Sequence, residues 1–357
     1  MAESGRGIGN IAPNKTLSEM AMGYTRSRVL AAAARLGLAD VLEAEPRSVD
    51  QLAELCGAQP SSLYRLLRAL ASFGVVLETS PRHFILTAFG KPLRKDAPNS
   101  VWAGIIFWAD LLADNWSYLT ECVRTGENAG RIMEREGVAS RWSKDPNAKD
   151  IFGAVMGAAP AENYAPIARA WDFSKYHTIA DLGGGGGALI AAILNHFPNV
   201  RGMLVDRPEF IDKAALRFEK EGLAARCQTI SADLRQSVPA GADVYMLKHV
   251  LHGYDDAAAI EILDHCRSVL PVEGRLLVIE FVLPDVVDHV DVGLEHRLMS
   301  DLNMLTATGG KERSAIEWKS LLSSAALDCQ RIIPVHGDLV SIIEASQRNS
   351  SADSAGR

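Results

Sequence analysis

A run of five glycines, Gly183–Gly187, is the first feature of this sequence that suggests chemistry. It lies between the short apolar run TIADL and a helix-like apolar stretch that continues to Leu194. Glycine loses more backbone freedom on folding than other residues, so such a run indicates a turn that another group must approach closely. The flanking strand and helix patterns favour a ligand, either a pyrophosphate or another nucleotide-like group, over a merely flexible turn.

The glycine run fits two classes of ligand. The letters GGGGGA from Gly183 match the dinucleotide fingerprint, and Asp206 follows at the distance of an acid that holds a ribose. The segment DLGGGGG from Asp181 also matches the loop of class I S-adenosylmethionine (SAM) methyltransferases. Both ligands contain a ribose diol, so Asp206 does not distinguish between them.

Three observations favour SAM. The glycine loop lies in the middle of the chain, after a long helical region. Asp181 ends the first strand, where an acid would repel a pyrophosphate but could hold the amino group of a methionine. Asp233 ends a third strand in the segment SADL, where its side chain can reach an adenine amine. SAM carries no phosphate, so its loop needs glycine for close approach and not for binding an anion.

From Thr178 onward, strand patterns alternate with helix patterns. The apolar runs TIADL, RGMLVD, CQTISADL, DVYMLKHVL and GRLLVIEFVL are separated by helical segments such as DAAAIEILDHCRSVL. This alternation predicts an α/β fold with a parallel sheet and helices on both of its faces. Ligands of such sheets bind beyond the carboxyl ends of the strands, and the chemical motifs of this chain all fall there.

The N-terminal region predicts an α-helical domain with a winged helix. Leu17–Leu42 has helical spacing, and Ser48–Val76 indicates helix, turn and helix, with Ser48 as N-cap and Gln51 at the capping-box position. The segment LETSPRHFILTAFGKPL then predicts a β-hairpin wing. Ser48–Val76 contains two acids and two bases, so this motif favours packing or dimerisation over DNA binding.

Composition narrows the class of protein further. The chain has 357 residues, of which 48% are hydrophobic and 23% charged, as expected for a soluble protein of more than one domain. The net charge of -7 argues against a protein that neutralises nucleic-acid phosphates. No apolar run approaches the roughly 18 residues of a membrane span. The N-terminal residues lack the apolar core of a secretory signal, and the cysteines are widely spread, so we expect reduced thiols in a cytoplasmic protein.

Three further segments complete a pattern: LKHVLHGYDD from Leu247, LLVIEFVLP from Leu276 and DLNMLTATGGKERS from Asp301. Together with the glycine loop they resemble methyltransferase family 2, which contains plant caffeic-acid-type and bacterial antibiotic-pathway O-methyltransferases. The resemblance extends from about Met20 to Glu344. It implies an N-terminal winged-helix dimerisation domain, a Rossmann-like SAM-binding C-terminal domain, and a homodimer.

With this resemblance the chain divides into five predicted segments. They are a disordered tail at 1–14, a winged-helix dimerisation domain at 15–98, a helical, substrate-lining region at 99–171, a Rossmann-like SAM-dependent methyltransferase domain at 172–345, and a disordered tail at 346–357.

The resemblance also implies roles for individual residues. His252 matches the family's general base, and Glu280 and Glu312 match the two acids that flank it. The predicted cofactor residues are Asp181, Gly183, Gly185, Asp206, Asp233, Leu234 and Lys248. The family has Asp-Trp directly after the base, where this chain has Gly253 and Tyr254.

An imidazole suits the implied reaction. A phenol has a pKa of about 10, so little phenolate exists at neutral pH, and an imidazole with a pKa of about 6.5 can remove the proton as the methyl group moves. A carboxylate on the other ring nitrogen would fix the tautomer and stabilise the imidazolium. Methyl transfer is an in-line displacement that gains mainly from positioning, and we expect no metal. His249, three residues before His252, remains a competing base.

Aromatic, methionine and amide side chains are candidates for the acceptor pocket, with plain core packing as the alternative. They are Phe107, Trp108, Trp116, Phe152, Met156, Met299, Asn303 and Met304. We therefore expect a SAM-dependent O-methyltransferase that acts on a hydroxyl of a small aromatic secondary metabolite, without nucleic-acid or membrane partners. The alternatives are a non-methylating, C-methylating or N-methylating relative, an NAD(P)-dependent oxidoreductase, and a winged-helix regulator.

Overall fold

The computed structural model describes residues 13–42, 45–157, 160–288 and 291–348. The predicted tail at 1–14 lies outside these residues except for Pro13 and Asn14, which begin the first helix. The predicted tail at 346–357 is wrong at its start, because the last strand continues through Gln347. Among the described residues, no helix combines the length and the apolar character that a bilayer-spanning segment needs.

The chain divides into two compact units. The first contains the described residues of Met1–Asp114 together with Arg141–Phe152, and the second contains those of Asn115–Ser140 together with Gly153–Arg357. The helical region predicted at 99–171 is therefore not a segment of its own, because its parts belong to both units.

The N-terminal half is mainly helical, with three short strands. Its helices are α1 Pro13–Arg35, α2 Leu38–Val41, α3 Val49–Cys56, α4 Pro60–Ser72, α5 Trp102–Ile106, α6 Ala113–Ser117, α7 Leu119–Thr125, α8 Ala129–Glu136, α9 Arg141–Lys144 and α10 Ala148–Gly157. Its strands are β1 Arg47–Ser48, β2 Val76–Ser80 and β3 His83–Leu86, which form an antiparallel sheet in the order β1-β3-β2. A π-helical turn, Phe107–Leu111, follows α5.

Local sequence signals explain the winged helix. The side chain of Ser48 accepts a hydrogen bond from the backbone N–H of Gln51, and the side chain of Gln51 accepts one from the backbone N–H of Ser48, which is the predicted capping box. Gly57 ends α3 in the left-handed conformation, and Pro60 opens α4. Helix, turn, helix and hairpin wing therefore occur as predicted.

The C-terminal half contains the large sheet and its covering helices. Its helices are α11 Ala165–Ala170, α12 Ala188–His196, α13 Pro208–Lys220, α14 Asp256–Val269, α15 Val292–Ala307 and α16 Ala315–Ser324. Its strands are β4 Thr178–Leu182, β5 Arg201–Asp206, β6 Cys227–Ser231, β7 Val244–Lys248, β8 Arg275–Glu280, β9 Val282–Leu283, β10 Arg313–Ser314, β11 Leu327–Pro334 and β12 Ser341–Gln347.

The large sheet has seven strands in the order β11-β12-β8-β7-β4-β5-β6. Strands β4 to β8 pair in parallel, as predicted, but β12 is antiparallel to both β8 and β11. The prediction of a purely parallel sheet is therefore wrong at this edge, where a short connection joins β11 to β12 and permits only antiparallel pairing. The chain runs outward from β4 to β6 and then returns to β7, so the topological switch point lies between β4 and β7.

Both faces of this sheet are buried. Along β4 and β7, Ile179 and Met246 belong to one apolar cluster with α12, whereas Ala180 and Leu247 belong to the other with α14 and α16. This alternation with a period of two explains why the strands are continuous apolar runs in the sequence. The carboxyl ends of β4 and β7 are thereby fixed side by side.

Candidate active site

The loop between β4 and α12 carries the five glycines. Gly183, Gly185 and Gly187 have φ angles of 69°, 56° and 76°, a left-handed conformation that favours glycine. A Cβ on Gly183 would lie 2.7 Å from Val250, and one on Gly187 would lie 2.6 Å from Phe218. A Cβ on Gly185 would meet a single atom, at 3.9 Å. Two of the three motif glycines therefore make room for the protein's own side chains, and Gly185 borders open space.

The glycines at the two free positions of the motif also have structural roles. A Cβ on Gly184 would lie 2.7 Å from the carboxyl group of Asp181. The carbonyl oxygen of Gly186 accepts a hydrogen bond of 2.8 Å from Nε of Arg217 on α13. The run is thus closed on its inner side by Asp181 and tied to a neighbouring helix by Arg217.

Asp206, the last residue of β5, holds the glycine loop. Its Oδ2 accepts a hydrogen bond of 2.7 Å from the backbone N–H of Gly185, and its Oδ1 accepts one of 2.7 Å from that of Arg207. Burial raises the pKa of Asp206, and these two donors oppose that effect in part. The structure therefore brings the glycine loop and the predicted ribose-binding acid into direct contact.

Asp181 is the penultimate residue of β4, not the last as predicted, and only 1% of it is exposed. Its Oδ2 is buried and has no hydrogen-bond partner within the part of the chain that the structure describes. Burial, followed by the negative charge of Asp206, raises the pKa of Asp181 to about 7. Buried polar atoms are normally paired, so this oxygen is an acceptor without its donor.

The other predicted cofactor residues follow β6 and β7. Asp233 lies two residues beyond the end of β6, not at its end as predicted, because the strand stops at Ser231. Its exposed carboxylate accepts a hydrogen bond of 3.0 Å from the backbone N–H of Arg235, and Leu234 between them is buried. Lys248 ends β7, and burial lowers its pKa.

The two residues that depart from the family motif are accommodated without strain. A Cβ on Gly253 would meet no atom within 4 Å, so the turn has room for a side chain at this position. Burial raises the pKa of Tyr254, and the charge of Asp233 acts in the same direction.

His252 lies in a single 3₁₀ turn, Leu251–Gly253, which is separated from the end of β7 by two residues. Its Nδ1 is 2.8 Å from Oε1 of Glu312, and the same oxygen accepts a hydrogen bond of 2.7 Å from Oγ of Ser300 on α15. The backbone N–H of Glu312 donates to Asp301 at 2.9 Å. The predicted pairing of His252 with Glu312 is present, and two residues that the sequence interpretation did not single out, Ser300 and Asp301, support it.

Glu280 ends β8 and is fully buried. Its Oε1 accepts hydrogen bonds from the backbone N–H groups of Val250, at 2.9 Å, and of His252, at 3.3 Å. Its Oε2 lies 3.1 Å from Nδ1 of His249 and 3.7 Å from Nδ1 of His252. Glu280 therefore pairs with His249 and with the backbone of the turn, whereas Glu312 pairs directly with the imidazole of His252.

The two histidines differ in basicity. Burial disfavours the charged form of His252, but the carboxylates of Glu280 and Glu312 outweigh this effect and raise its pKa. Burial lowers the pKa of His249, and its single bond to Glu280 does not compensate. Burial would raise the pKa of Glu280, but His252 and His249 hold it below the ordinary value. Of the two candidates, His252 is the stronger base.

The same residues form a possible ligand set for a metal. His249, His252 and Glu280 each offer a ligand atom, and these atoms lie within 4.8 Å of one another. The sequence spacing gave no sign of this set, because a left-handed residue, His249 with φ of 51°, brings the two rings together. In the structure Nδ1 of His249 pairs with Glu280, whereas Nδ1 of His252 pairs with Glu312, which lies outside this set.

The predicted acceptor residues of the first unit form an aromatic cluster. The ring centroids of Phe107 and Phe152 lie 5.7 Å apart, and Trp108 lies 4.8 Å from Phe107. Trp142, which the sequence interpretation did not single out as a site residue, lies 6.2 Å from Phe107 and 5.9 Å from Phe152. Edge-to-face contacts of this kind explain the cluster as packing, and Trp108 is 51% exposed.

The other predicted acceptor residues belong to the second unit. Met156 and Met299 are exposed, and Trp116 and Met304 are half-buried. Asn303 on α15 is buried, and its Oδ1 has no hydrogen-bond partner among the described residues. Asn303 lies one helical turn beyond Ser300, on the same side of α15. Asn303 is therefore the member of this group whose structure indicates an unmet hydrogen bond.

Comparison with known proteins agrees with this architecture. The family model of the O-methyltransferase domain matches residues 116–328, and that of the O-methyltransferase dimerisation domain matches residues 18–95. The chain is 35% identical over 350 residues to a phenazine O-methyltransferase of Lysobacter antibioticus, which covers 97% of this chain and 99% of that relative. It is 36% identical over 312 residues to the O-demethylpuromycin-O-methyltransferase of Streptomyces alboniger, which covers 87% of this chain and 82% of that relative.

Two further similarities bear on the cofactor and the acceptor. The crystal structure of an O-methyltransferase from neocarzinostatin biosynthesis, in complex with SAM and 2-hydroxy-5-methyl naphthoic acid, matches with a TM-score of 0.76 and 30% identity over 95% of this chain and 99% of that chain. An 8-amino-8-demethylriboflavin N,N-dimethyltransferase of Streptomyces davaonensis is 32% identical over 88% of this chain and 90% of its own length. The family thus includes enzymes named for methylating oxygen and others named for methylating nitrogen.

The glycine loop held by Asp206, the His252–Glu312 pair, and the two matched domains lead to one assignment. The chain belongs to the family of SAM-dependent small-molecule O-methyltransferases that carry an N-terminal dimerisation domain.

Proposed function

We propose that this O-methyltransferase transfers the methyl group of SAM to a hydroxyl of a small aromatic secondary metabolite, with His252 as the general base. The observation that carries the proposal is the 2.8 Å contact between Nδ1 of His252 and Oε1 of Glu312. A carboxylate on Nδ1 fixes the tautomer in which Nε2 is free to accept a proton. Glu312 thereby prepares the imidazole for a hydroxyl acceptor.

The residues around the glycine loop fit SAM. Gly185 borders open space, and its N–H is fixed by Asp206, a carboxylate that can also accept from a ribose hydroxyl. The unpaired Oδ2 of Asp181 lies beneath the loop, where an ammonium group nearby would favour its charged form. The carboxylates of Asp181 and Asp206 beside this loop would repel a phosphate, whereas SAM carries none. We infer that SAM binds here, and a related crystal structure is a complex with SAM.

When bound, SAM supplies a methyl group on a sulfonium, which is already an electrophile. The protein's task is to make the acceptor oxygen nucleophilic and to hold it in line. His252 removes the hydroxyl proton at Nε2, and Glu312 stabilises the imidazolium through Nδ1–H. Glu280 holds the turn itself, through the backbone N–H groups of Val250 and His252. Both carboxylates therefore favour the imidazolium, and Glu280 in addition positions the turn that carries it.

Two observations support an aromatic acceptor. In the second unit, the unmet Oδ1 of Asn303 can accept a hydrogen bond from a polar substituent. A related enzyme holds a hydroxylated naphthoic acid. We propose that the protein acts as a homodimer through its dimerisation domain, and that it works in the cytoplasm with its five cysteines unpaired.

Methylation of an aromatic amine is the second candidate, since a relative is named as an N,N-dimethyltransferase. A neutral arylamine carries its own lone pair and needs no proton removed before attack. The paired His252 and Glu312 therefore favour a hydroxyl acceptor, because they provide a base that an amine does not need.

A matched panel of acceptors tests the proposal. The purified enzyme is incubated with SAM and with phenols, naphthols, hydroxylated phenazines and the corresponding arylamines, and products are followed by mass spectrometry. We expect hydroxylated members to gain one methylene, with equimolar S-adenosylhomocysteine, and their O-methyl ethers to be inert. Methylation of the amines in preference to the hydroxyl compounds, or product at an unchanged rate with His252→Ala, would contradict the proposal.

A further inference from the structure

Arg313 is the residue after the predicted acid Glu312 and is fully buried. A buried cation is strongly destabilising unless each of its donors finds a partner. Its ring neighbour is Trp318, whose centroid lies 5.1 Å from the guanidinium carbon. Because a buried cation needs these partners, the hydrogen bonds of the guanidinium determine where it lies.

The five N–H donors of Arg313 make five hydrogen bonds. Nη1 donates to the carbonyl oxygens of Leu251, at 3.1 Å, and of Lys311, at 3.3 Å. Nη2 donates to the carbonyl oxygen of Tyr254, at 3.0 Å, and to Oδ1 of Asp256, at 2.9 Å. Nε donates to the same Oδ1, at 3.1 Å. Each N–H donor of Arg313 thus has an acceptor, and all of these acceptors except the Lys311 carbonyl lie more than fifty residues away in the sequence.

Two of these acceptors bracket the base. Leu251 and Tyr254 lie immediately before and two residues after His252, so their carbonyl oxygens fix both ends of the 3₁₀ turn. The contact of Nη1 with Lys311 fixes the residue just before Glu312. One planar group is thus bonded to the backbone on both sides of the His252–Glu312 pair.

Gly310 of the same segment allows this close approach. A Cβ on Gly310 would overlap the carbonyl oxygen of His252, so the chain that carries Glu312 lies directly against the base turn. At this distance small movements of either segment change the 2.8 Å contact between His252 and Glu312. Arg313 spans the two segments where they touch.

We propose that Arg313, anchored by Asp256, is a positioning residue that keeps the imidazole of His252 in register with the carboxylate of Glu312. The proposal rests on the role of His252 as general base. Lysine keeps the charge but has three donors on one nitrogen, so it cannot bond two carbonyl groups and a carboxylate in one plane. A purely structural arginine would instead affect stability and leave the chemistry of the folded enzyme unchanged.

The titration of His252 separates these two roles. The charged or titratable groups that face His252 are Glu280, Glu312, His249 and Lys248. Arg313 acts on this group through the position of Glu312. The carboxylate of Glu312 favours the imidazolium when it lies close to it. Substitution of Arg313 is therefore expected to lower the pH midpoint of the His252 titration toward that of a Glu312→Gln variant.

Arg313→Lys is the decisive variant, and Arg348→Lys is its matched control, since Arg348 forms an exposed pair with Asp328 at 3.1 Å. We expect Arg313→Lys to lower kcat by on the order of 10²-fold. Its affinity for SAM by calorimetry should stay near that of the wild type, and the NMR midpoint of His252 should fall toward that of Glu312→Gln. Arg348→Lys should change none of these quantities.

A second variant covers the case in which Arg313→Lys does not fold. Asp256→Asn keeps Arg313 and its carbonyl contacts but weakens its anchor, so the same changes are expected at smaller size. An unchanged His252 midpoint in the folded variants would overturn the proposal, as would a lower melting temperature with an unchanged kcat. The NMR titration of His252 requires no methyl transfer. If the wild type transferred no methyl group, the proposed function would be contradicted, and the titration would still test the role of Arg313.

Discussion

His249 and His252 stack with their ring centroids 5.1 Å apart and 25° between their planes, yet their pKa values shift in opposite directions. The difference arises because His252 is faced by two carboxylates, Glu280 and Glu312, whereas His249 bonds to Glu280 alone. Neighbouring groups whose environments push their pKa values apart indicate which of them is the base. This relationship favours His252 and gives the first prediction.

Removing either imidazole should have different consequences. We expect His252→Ala to lower kcat by about 10²–10⁴-fold, the usual contribution of a general base, and to leave SAM affinity within a few-fold. His249→Ala should cost less, because His252 keeps its bond to Glu312. Single-turnover rates with one identified phenolic acceptor provide the measurement. A greater loss for His249→Ala than for His252→Ala would reverse the assignment.

The pH dependence of the rate should follow His252. The base must be unprotonated to act, so kcat/KM should rise with pH through the pKa of His252, which lies above the ordinary histidine value. Glu312→Gln removes a carboxylate that raises this pKa, so the acid limb should move to lower pH while the plateau falls. Initial rates across the pH range give both quantities. An acid limb unmoved by Glu312→Gln would show that His252 is not the titrating base.

Because of Asp181, the cofactor-free enzyme should become less stable as the pH rises. Its pKa is about 7 in the folded protein, against about 3.9 in an unfolded chain. Between these values the folded chain binds a proton that the unfolded chain lacks, so stability decreases as pH rises. Asp181→Asn cannot ionise, so its melting temperature minus that of the wild type should increase from about pH 5 to about pH 8. A constant difference across this range would contradict the raised pKa.

The same variant has a second readout. If the ionised carboxylate of Asp181 favours binding of the methionine ammonium, Asp181→Asn should weaken SAM while it stabilises the cofactor-free protein at high pH. Calorimetry with S-adenosylhomocysteine, which keeps the amino group, measures this effect. Unchanged affinity would assign Asp181 to the support of the glycine loop alone.

Two glycines near the base offer a matched pair. A Cβ on Gly310 would overlap the carbonyl oxygen of His252, whereas a Cβ on Gly253 would meet nothing within 4 Å. Gly310→Ala should therefore displace the base turn and reduce kcat by on the order of 10²-fold. Gly253→Ala should keep the activity and stabilise the protein slightly, by about 0.4–1 kcal/mol. Equal effects of the two substitutions would refute the close contact.

Much of the fold follows from local signals in the sequence. The capping box at Ser48 and the apolar strands from Thr178 onward occur as predicted. These features depend on neighbouring residues and on periodicity. The place of β12 beside β8 escaped prediction, because this pairing joins residues more than sixty positions apart and leaves no local mark.

The sequence predicted which motif residues form the site but not the hydrogen bonds that join them. Matching motifs identified His252, Glu280 and Glu312, and the structure brings all three together. The division of Glu280 between His249 and the backbone depends on the left-handed conformation of His249, which sequence spacing cannot show. Likewise, the donors of Arg313 reach acceptors almost sixty residues away, and only the folded chain shows which carbonyl groups they meet.

The position of β12 between β8 and β11 has a consequence for synthesis of the protein. In the finished sheet Ser341 pairs with Glu280, so the strand that carries this buried acid is completed by residues near the end of the chain. While the ribosome is still producing the segment after β8, that strand is an open edge, and open edges are templates for aggregation. Pairing with β12 covers this edge.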